Sequence, residues 1–352
     1  MRNPALNIRL LIVFSVMLTG FVISNFGFTT TRQSDYANEM TQAVDLTIKW
    51  FEIIQQQKEI RNIHSDAVSN VPNNFMLGDD YTTTTTTLGT LNAKEISANP
   101  EFAALMVRLI KEAGIKEGDK VGVILSGSFP SLSISTLAAL QTMKLDALIT
   151  SSLGASSYGA NQEGASWLDM ENWMIENGGL TYHSSFVSKG AENDIGLGLG
   201  DEGNIILENA AKRNNRKLYS PLCLSQAISD RVNLFTSNNI RLLINIGGNQ
   251  AAMGRCTHSV SIPNGFNESI RLCDDENRGV IQEMNAVGIP FINLLNIKEL
   301  AARYNMDITP GIQYSASPNL FMETHKNKIA IMISIIISLL FAFVLIPGKT
   351  GK

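Results

Sequence analysis

Between Pro100 and Tyr304, short apolar runs alternate with helical patterns, and this alternation limits the possible folds more than any other feature of the chain. Lys120–Leu125 (KVGVIL), Asp146–Thr150 (DALIT), Arg241–Ile246 (RLLINI) and Pro290–Leu294 read as strands, with a further one near Leu180–Val187. Between them lie helical segments: Phe102, Leu105, Met106, Leu109 and Ile110 line one that stops at Gly114, and Pro130 opens another that runs to Met143. Trp167–Asn177, Gly203–Asn214, Ser225–Asn238, Val280–Val287 and Lys298–Tyr304 complete the series. Strands that are apolar on both faces need cover on both faces, which helices between parallel strands provide. The expected fold is therefore α/β, a doubly wound and mostly parallel sheet. The 352 residues suffice for a real core. No internal repeat and no second globular domain is evident.

The two ends differ from this body. Leu10 to Thr31 is a run of 22 residues without a charge, and Ile329 to Gly348 is a second run of 20. Either can cross a hydrocarbon core of about 30 Å as a helix rising 1.5 Å per residue. The first reads as an uncleaved anchor. A cleaved signal peptide is the alternative, because Arg2 and Arg9 make a positive leader, but the run is long and no A-x-A site follows it. Arg2 and Arg9 before the first run, and Lys349 and Lys352 after the second, place both termini in the cytoplasm and the body outside it. His325, Lys326 and Lys328 on the inner flank weaken that asymmetry.

Ser34 to Asn62 reads as one helix, with Met40, Val44, Ile48, Phe51 and Ile54 at three- and four-residue spacing, either a stalk or a helix packed on the domain. Pro72 breaks the chain after it, and the threonine run Thr82–Thr87 reads as a strand or polar loop. The expected division is a membrane anchor (1–33), a stalk helix and linker (34–74), an extracytoplasmic α/β domain (75–324) and a C-terminal transmembrane helix with a short tail (325–352).

Composition excludes several classes. The chain has a net charge of −4, and Thr29–Thr324 holds 32 acidic against 22 basic residues, so a body near −10 is not built to grip nucleic acid through bulk positive charge. Cys223, Cys256 and Cys273 are too few for a disulfide scaffold and match no zinc spacing, although Cys256 and Cys273 can pair in an oxidising compartment. No P-loop and no G-x-G-x-x-G after a strand is present, and Gly196–Gly200 (GLGLG) reads as a flexible loop. No cofactor and no metal is expected.

Several strings resemble a known family. Gly78-Asp79-Asp80-Tyr81, the stretch Thr86–Lys94 (TTLGTLNAK) and Asn99-Pro100 come first, followed by Leu125–Pro130 (LSGSFP) and Ser151–Asn161 (SSLGASSYGAN). Trp167–Glu171 (WLDME) and Asn245–Gly248 (NIGG) with Gly254 complete the likeness, which covers roughly residues 75–315. The chain resembles the bacterial poly-γ-glutamate system protein, encoded with the capsule synthase and export components. The lengthened threonine run is a departure from it. The resemblance implies a membrane-anchored accessory role in poly-γ-glutamate synthesis or export, with those membrane proteins and the polymer itself as partners. It supplies a pathway and no reaction.

In a doubly wound sheet, ligands bind beyond the carboxyl ends of the strands. Three Gly/Ser loops are expected there. The first carries Ser126, Gly127 and Ser128. The second carries Ser152, Gly154, Ser156, Ser157 and Asn161, and the third Gly247 and Gly248. Glycine allows close backbone approach, and N–H groups opening a helix suit an anion such as a phosphate or carboxylate. The same residues also serve tight turns that bind nothing. Ser126 and Ser128 are the candidate nucleophiles of a rival enzymatic reading, a hydrolase or transferase acting on the polymer or its attachment. G-x-S-x-G is absent, and only His183 and His258 lie in the α/β region as possible bases. Asp169 is a candidate ligand residue, but it is two positions from Glu171 and does not share a helix face with it. The basic cluster Lys212–Lys217 can grip a polyanion or simply complement a helix C-terminus.

Overall fold

The computed structural model describes residues 4–22, 29–67, 69–274, 277–306, 318–326, 331–333, 335–337 and 339–340. The chain forms two compact units, Tyr36–Leu320 and a smaller one made from Met1–Asp35 with Phe321–Lys352.

In the smaller unit a helix spans Pro4–Val22, and strand Thr29–Gln33 pairs antiparallel with Met322–Lys326. Ser34 closes the pairing, its N–H donating to Phe321 O at 2.8 Å and its hydroxyl to Glu323 at 2.5 Å. Among the described residues no helix is long and apolar enough to cross a membrane. The helix at the N-terminus begins six residues before Leu10 and takes in Asn7 and Arg9, and residues 23–28 of the expected first span lie outside the described residues. Most of the expected second span, 329–348, also lies outside them.

Within the larger unit a seven-stranded sheet is formed by β1 (Lys120–Ser126), β2 (Asp146–Ser152), β3 (Ser184–Ser188), β4 (Leu218–Tyr219), β5 (Leu242–Ile246), β6 (Gly265–Asn267) and β7 (Phe291–Leu294). Their order is β4-β3-β2-β1-β5-β7-β6, parallel throughout except for the β7–β6 edge. The chain winds outward from β1 through β2, β3 and β4, then returns to the other side of β1 with β5. The sheet is doubly wound, and its direction reverses between β1 and β5. Two of the outer strands, Leu218–Tyr219 and Gly265–Asn267, are too short for periodicity to reveal.

The helices are α1 (Ala37–Ile60), α2 (Leu91–Ser97), α3 (Phe102–Glu112), α4 (Pro130–Thr142), α5 (Trp167–Gly178), α6 (Gly200–Arg213), α7 (Leu224–Ser237), α8 (Val280–Ala286) and α9 (Ile297–Arg303). On one side of the sheet Phe235 of α7 and Val280, Ile281 and Met284 of α8 pack on Ile124, Leu243 and Phe291. A separate group is formed by α1, α3 and α4, which pack on one another, while α1 also meets α5.

Of the two readings of the helix in 34–74, a stalk or a helix packed on the domain, α1 takes the second. Met40, Ala43, Trp50, Phe51 and Ile54 of α1 are all buried, and Trp50 Nε1 donates to Gly178 O at 3.0 Å. The reason lies in α4. Its residues Pro130–Leu140 are buried on every face, including Ser131, Ser133, Ser135 and Thr136, so a second layer has to cover its outer side, and α1 does so. Proline at the first helical position suits the start of α4 because the N–H it lacks would have no intrahelical acceptor there.

Candidate functional site

The reversal between β1 and β5 opens a cleft of about 620 Å³ at the carboxyl edge of the sheet, a size typical of ligand sites. Ser126, Ser128 and Phe129 reach it from the turn after β1, and Ser152, Gly154 and Ser156 from the loop after β2. Gly248, Asn249 and Gln250 follow β5 on the opposite wall. The three expected loops thus share one site. A fourth wall is the loop after β3, with Ala191, Glu192, Leu197 and Gly198. A fifth is the segment Thr86–Thr90 with Ala93 and Lys94.

Each wall is held by bonds legible in the structure. Strand Thr85–Thr87 pairs with Ala155–Ser156, which makes the second half of the threonine run a strand. Asn249 Nδ2 donates to Ser152 Oγ at 2.8 Å while its Oδ1 caps the N–H groups of Ala251 and Ala252, so one asparagine ties the second loop to the third. The loop after β3 is fixed by a buried ion pair, Arg231 to Asp194 at 2.7 Å, with Ser188 Oγ donating to Asp194 at 2.7 Å. Gly196–Gly200, which reads as a flexible loop, belongs to this anchored wall.

Lys94 is the feature that sequence reasoning missed. It sits on α2, is 2% exposed, and no carboxylate pairs with it among the described residues. Its Nζ donates to the Ser128 carbonyl oxygen and to Ser156 Oγ at 2.8 Å, and it lies 3.8 Å from the centre of the Phe129 ring. Burial without a counter-charge pushes its pKa down from 10.5 to about 7. One signal for it was present: Lys94 is the first charge after Asp80 in a polar, threonine-rich stretch.

The expected site residues fall into three groups. Ser126, Ser128, Ser152, Gly154, Ser156 and Gly248 line the cleft. Gly127 and Gly247 lie in the backbone beneath it. A Cβ on Gly127 would stand 2.6 Å from Leu153 O, and Gly247 has φ +89° with Ser126 Oγ directly against where its Cβ would be. Ser157 and Asn161 lie behind the wall. Ser157 N donates to Thr87 O, and Asn161 bonds Asp79 N, Asp79 O and Thr85 Oγ1 while its carbonyl accepts from Thr82 and Thr84. Their role is to hold the threonine run on the second loop.

Asp169 is a correction, because it does not reach the cleft. Its carboxylate is consumed by a capping box with Ser166, by Arg213 through Nε at 2.7 Å and Nη2 at 2.6 Å, and by Asn214 at 2.7 Å. Burial alone would raise its pKa, yet the Arg213, Asn214 and Ser166 hydrogen bonds outweigh that and leave it lowered. Glu171 is likewise structural. It accepts from Ser184 N at 2.9 Å and Ser184 Oγ at 2.6 Å, with Arg216 at 3.9 Å, and burial raises its pKa despite those bonds. Two cations of the Lys212–Lys217 cluster are therefore directed at buried carboxylates. No histidine lines the cleft among the described residues. Cys256 and Cys273 form a disulfide, with Cα atoms 6.3 Å apart, and Cys223 is free and exposed.

No family model matches the sequence, and no curated protein matches it. One solved structure is similar, the crystal structure of the alpha-aminoadipate aminotransferase LysN from Thermus thermophilus, at 12% identity over 74% of this chain and a TM-score of 0.20. The alignment spans about half, 54%, of that chain's length. A likeness at that score carries no argument about this protein.

Proposed function

We propose that this protein is a membrane-anchored accessory component of poly-γ-glutamate synthesis or export, and that its cleft binds a segment or end of the polymer. The pathway comes from the resemblance of residues 75–315. The observation that supports a ligand site is the convergence of three Gly/Ser loops on one cleft, at the reversal point of the sheet, around a buried lysine with no carboxylate partner among the described residues.

Anchoring is supported by the two uncharged runs and by the pairing of Thr29–Gln33, at the end of the first run, with Met322–Lys326, which precedes the second in the sequence. The Cys256–Cys273 bond suits an oxidising, extracytoplasmic compartment. Flanking charges orient both termini inward. The partners in this reading are the synthase and export membrane proteins, with the polymer as ligand and no nucleic acid.

A body near −10 repels a polyanion at long range, over a Debye length of ~8 Å at physiological salt, so contact has to be local. Calorimetric titration of γ-linked glutamate oligomers into the purified full-length protein at two ionic strengths tests this. Binding through the cleft changes little with salt and survives Lys212→Ala with Lys217→Ala. A steep salt dependence lost in that double variant would move the ligand to the basic cluster. No binding at either salt would make partner proteins the ligands. In cells, deletion of the gene lowers surface polymer, and an unchanged level in a capsule-forming strain would remove the pathway.

A further inference from the structure

From the geometry of the cleft floor we infer that Ser156 and Lys94 form the nucleophile and general base of an acyl-transfer site whose substrate is an amide-linked acyl chain. The inference rests on the cleft being a ligand site and not on which polymer fills it.

A buried ammonium without a counter-ion is unfavourable, and the group relieves the cost by giving up its proton. Once Lys94 is neutral, its 2.8 Å contact with Ser156 reverses direction: the hydroxyl donates and Nζ accepts. That is the arrangement a serine nucleophile needs, with a base in hydrogen-bond reach and oriented by other groups. The Ser128 carbonyl and the Phe129 ring hold Nζ in place, and Ser128 Oγ accepts from Ser156 N at 3.0 Å, which fixes the nucleophile's own backbone. Ser126 and Ser128, the candidates suggested by position after a strand, make no hydrogen bond to Lys94 through their hydroxyls; Ser128 Oγ serves Ser156 and Ser126 Oγ accepts from Ser128 N at 3.3 Å.

The other ionisable groups around the cleft are engaged elsewhere. Glu192 pairs with Arg255 at 3.0 Å, Lys189 with Glu208 at 2.8 Å, and Glu95 accepts from Ser69 at 2.8 Å. Lys94 is thus the group placed to move a proton at Ser156.

In the forward step Ser156 Oγ attacks the amide carbonyl carbon while its proton passes to Lys94 Nζ. The C–N bond then breaks, the Lys94 ammonium returns that proton to the departing amine, and an acyl ester remains on Ser156. Water or a second amine attacks the ester carbonyl, Lys94 accepts its proton, and the C–Oγ bond breaks with Oγ taking the proton back. Water gives hydrolysis, an amine gives transfer, and no redox partner is required.

The test uses purified full-length protein with a fluorophosphonate probe, peptide mass spectrometry to locate the adduct, and p-nitrophenyl acetate for the rate. None of these reagents contains glutamate, so the outcome is independent of the pathway reading. Expected are an adduct on Ser156, a labelling rate that rises with pH around a midpoint near 7, and a drop of at least about a hundredfold in both Ser156→Ala and Lys94→Met. Near- and far-ultraviolet circular dichroism verifies that each variant is folded. Should Lys94→Met unfold, Ser156→Cys keeps the question open to test: the thiol this substitution introduces must alkylate with iodoacetamide at least about tenfold faster than the exposed Cys223 in the same molecule. An adduct on any other serine, labelling that survives Ser156→Ala, absence of labelling in the wild type, or an introduced thiol no faster than Cys223 would each overturn the assignment.

Discussion

Replacing Lys94 by methionine turns the buried amine into a measurable pH effect on stability. The folded-state pKa is about 7 and the unfolded one 10.5, so between those values the unfolded chain binds more protons than the folded one. Stability of the wild type therefore rises with pH across that window, and is flat below it where both states are protonated. One proton at ~1.4 kcal/mol per pH unit, integrated from pH 6 to pH 9 around a midpoint of about 7, gives a gain of roughly 3 kcal/mol. The methionine variant lacks it. Methionine also leaves Ser128 O and Ser156 Oγ without their Lys94 partner, but the methionine does not titrate, so that cost is the same at both pH values and cancels in the comparison. Lys58, whose pKa burial lowers to about 8, titrates in both proteins and cancels too. Urea unfolding read by tryptophan fluorescence is the assay, since all three tryptophans, Trp50, Trp167 and Trp173, are buried in the larger unit. The wild-type minus variant difference should grow by roughly 3 kcal/mol from pH 6 to pH 9, with equal m values. Parallel curves with a constant offset would show that Lys94 keeps an ordinary pKa, and the argument for a neutral amine in the cleft would fail.

Three further outcomes follow from the packing. Asp169→Ala removes half of a capping box and the buried partner of the solvent-exposed Arg213, and should destabilise by roughly 1–3 kcal/mol in the same urea assay; because its folded pKa is lowered, the wild-type advantage is present above about pH 4 and shrinks as pH falls through the folded value. Replacing Cys256 and Cys273 by serine opens a loop with a sequence separation of 17, and loop entropy puts the loss at about 3 kcal/mol, read as a lower urea midpoint that reductant reproduces in the wild type. Gly127→Val should fail to fold or lose several kcal/mol, because its Cβ would stand 2.6 Å from a backbone oxygen, whereas Gly248→Val meets only Leu295 Cδ1 at 3.4 Å and should fold normally while narrowing the cleft and weakening ligand binding; equal melting temperatures for the two variants would refute that distinction.

Much of the architecture is local and was open to reading from the chain alone. Strands such as Leu242–Ile246 announce themselves because a doubly covered strand must be apolar on both faces, and the helices between them because one stripe must meet the sheet. Those two periodicities imply a parallel, doubly wound sheet, and that topology places the turns after β1, β2 and β5 on one edge. The cleft's Gly/Ser content was legible for that reason.

What depends on contacts between distant residues was not. Whether Ala37–Ile60 stands free or packs depends on α4, which lies far along the chain and is buried on every side, and nothing in the α1 pattern distinguishes the two. Asp169 carries the same carboxylate whether it meets a ligand or Arg213; its role was decided by a partner 44 residues away. Lys94 reads as an ordinary surface lysine, since charge in a sequence says nothing of its solvation. Only packing against Phe129, beside Ser156 and away from every described carboxylate, removes its water and makes a common residue the chemically distinctive one in the cleft. Periodicity records which side of an element is dry, whereas pKa and reactivity are set by what other elements bring to that side.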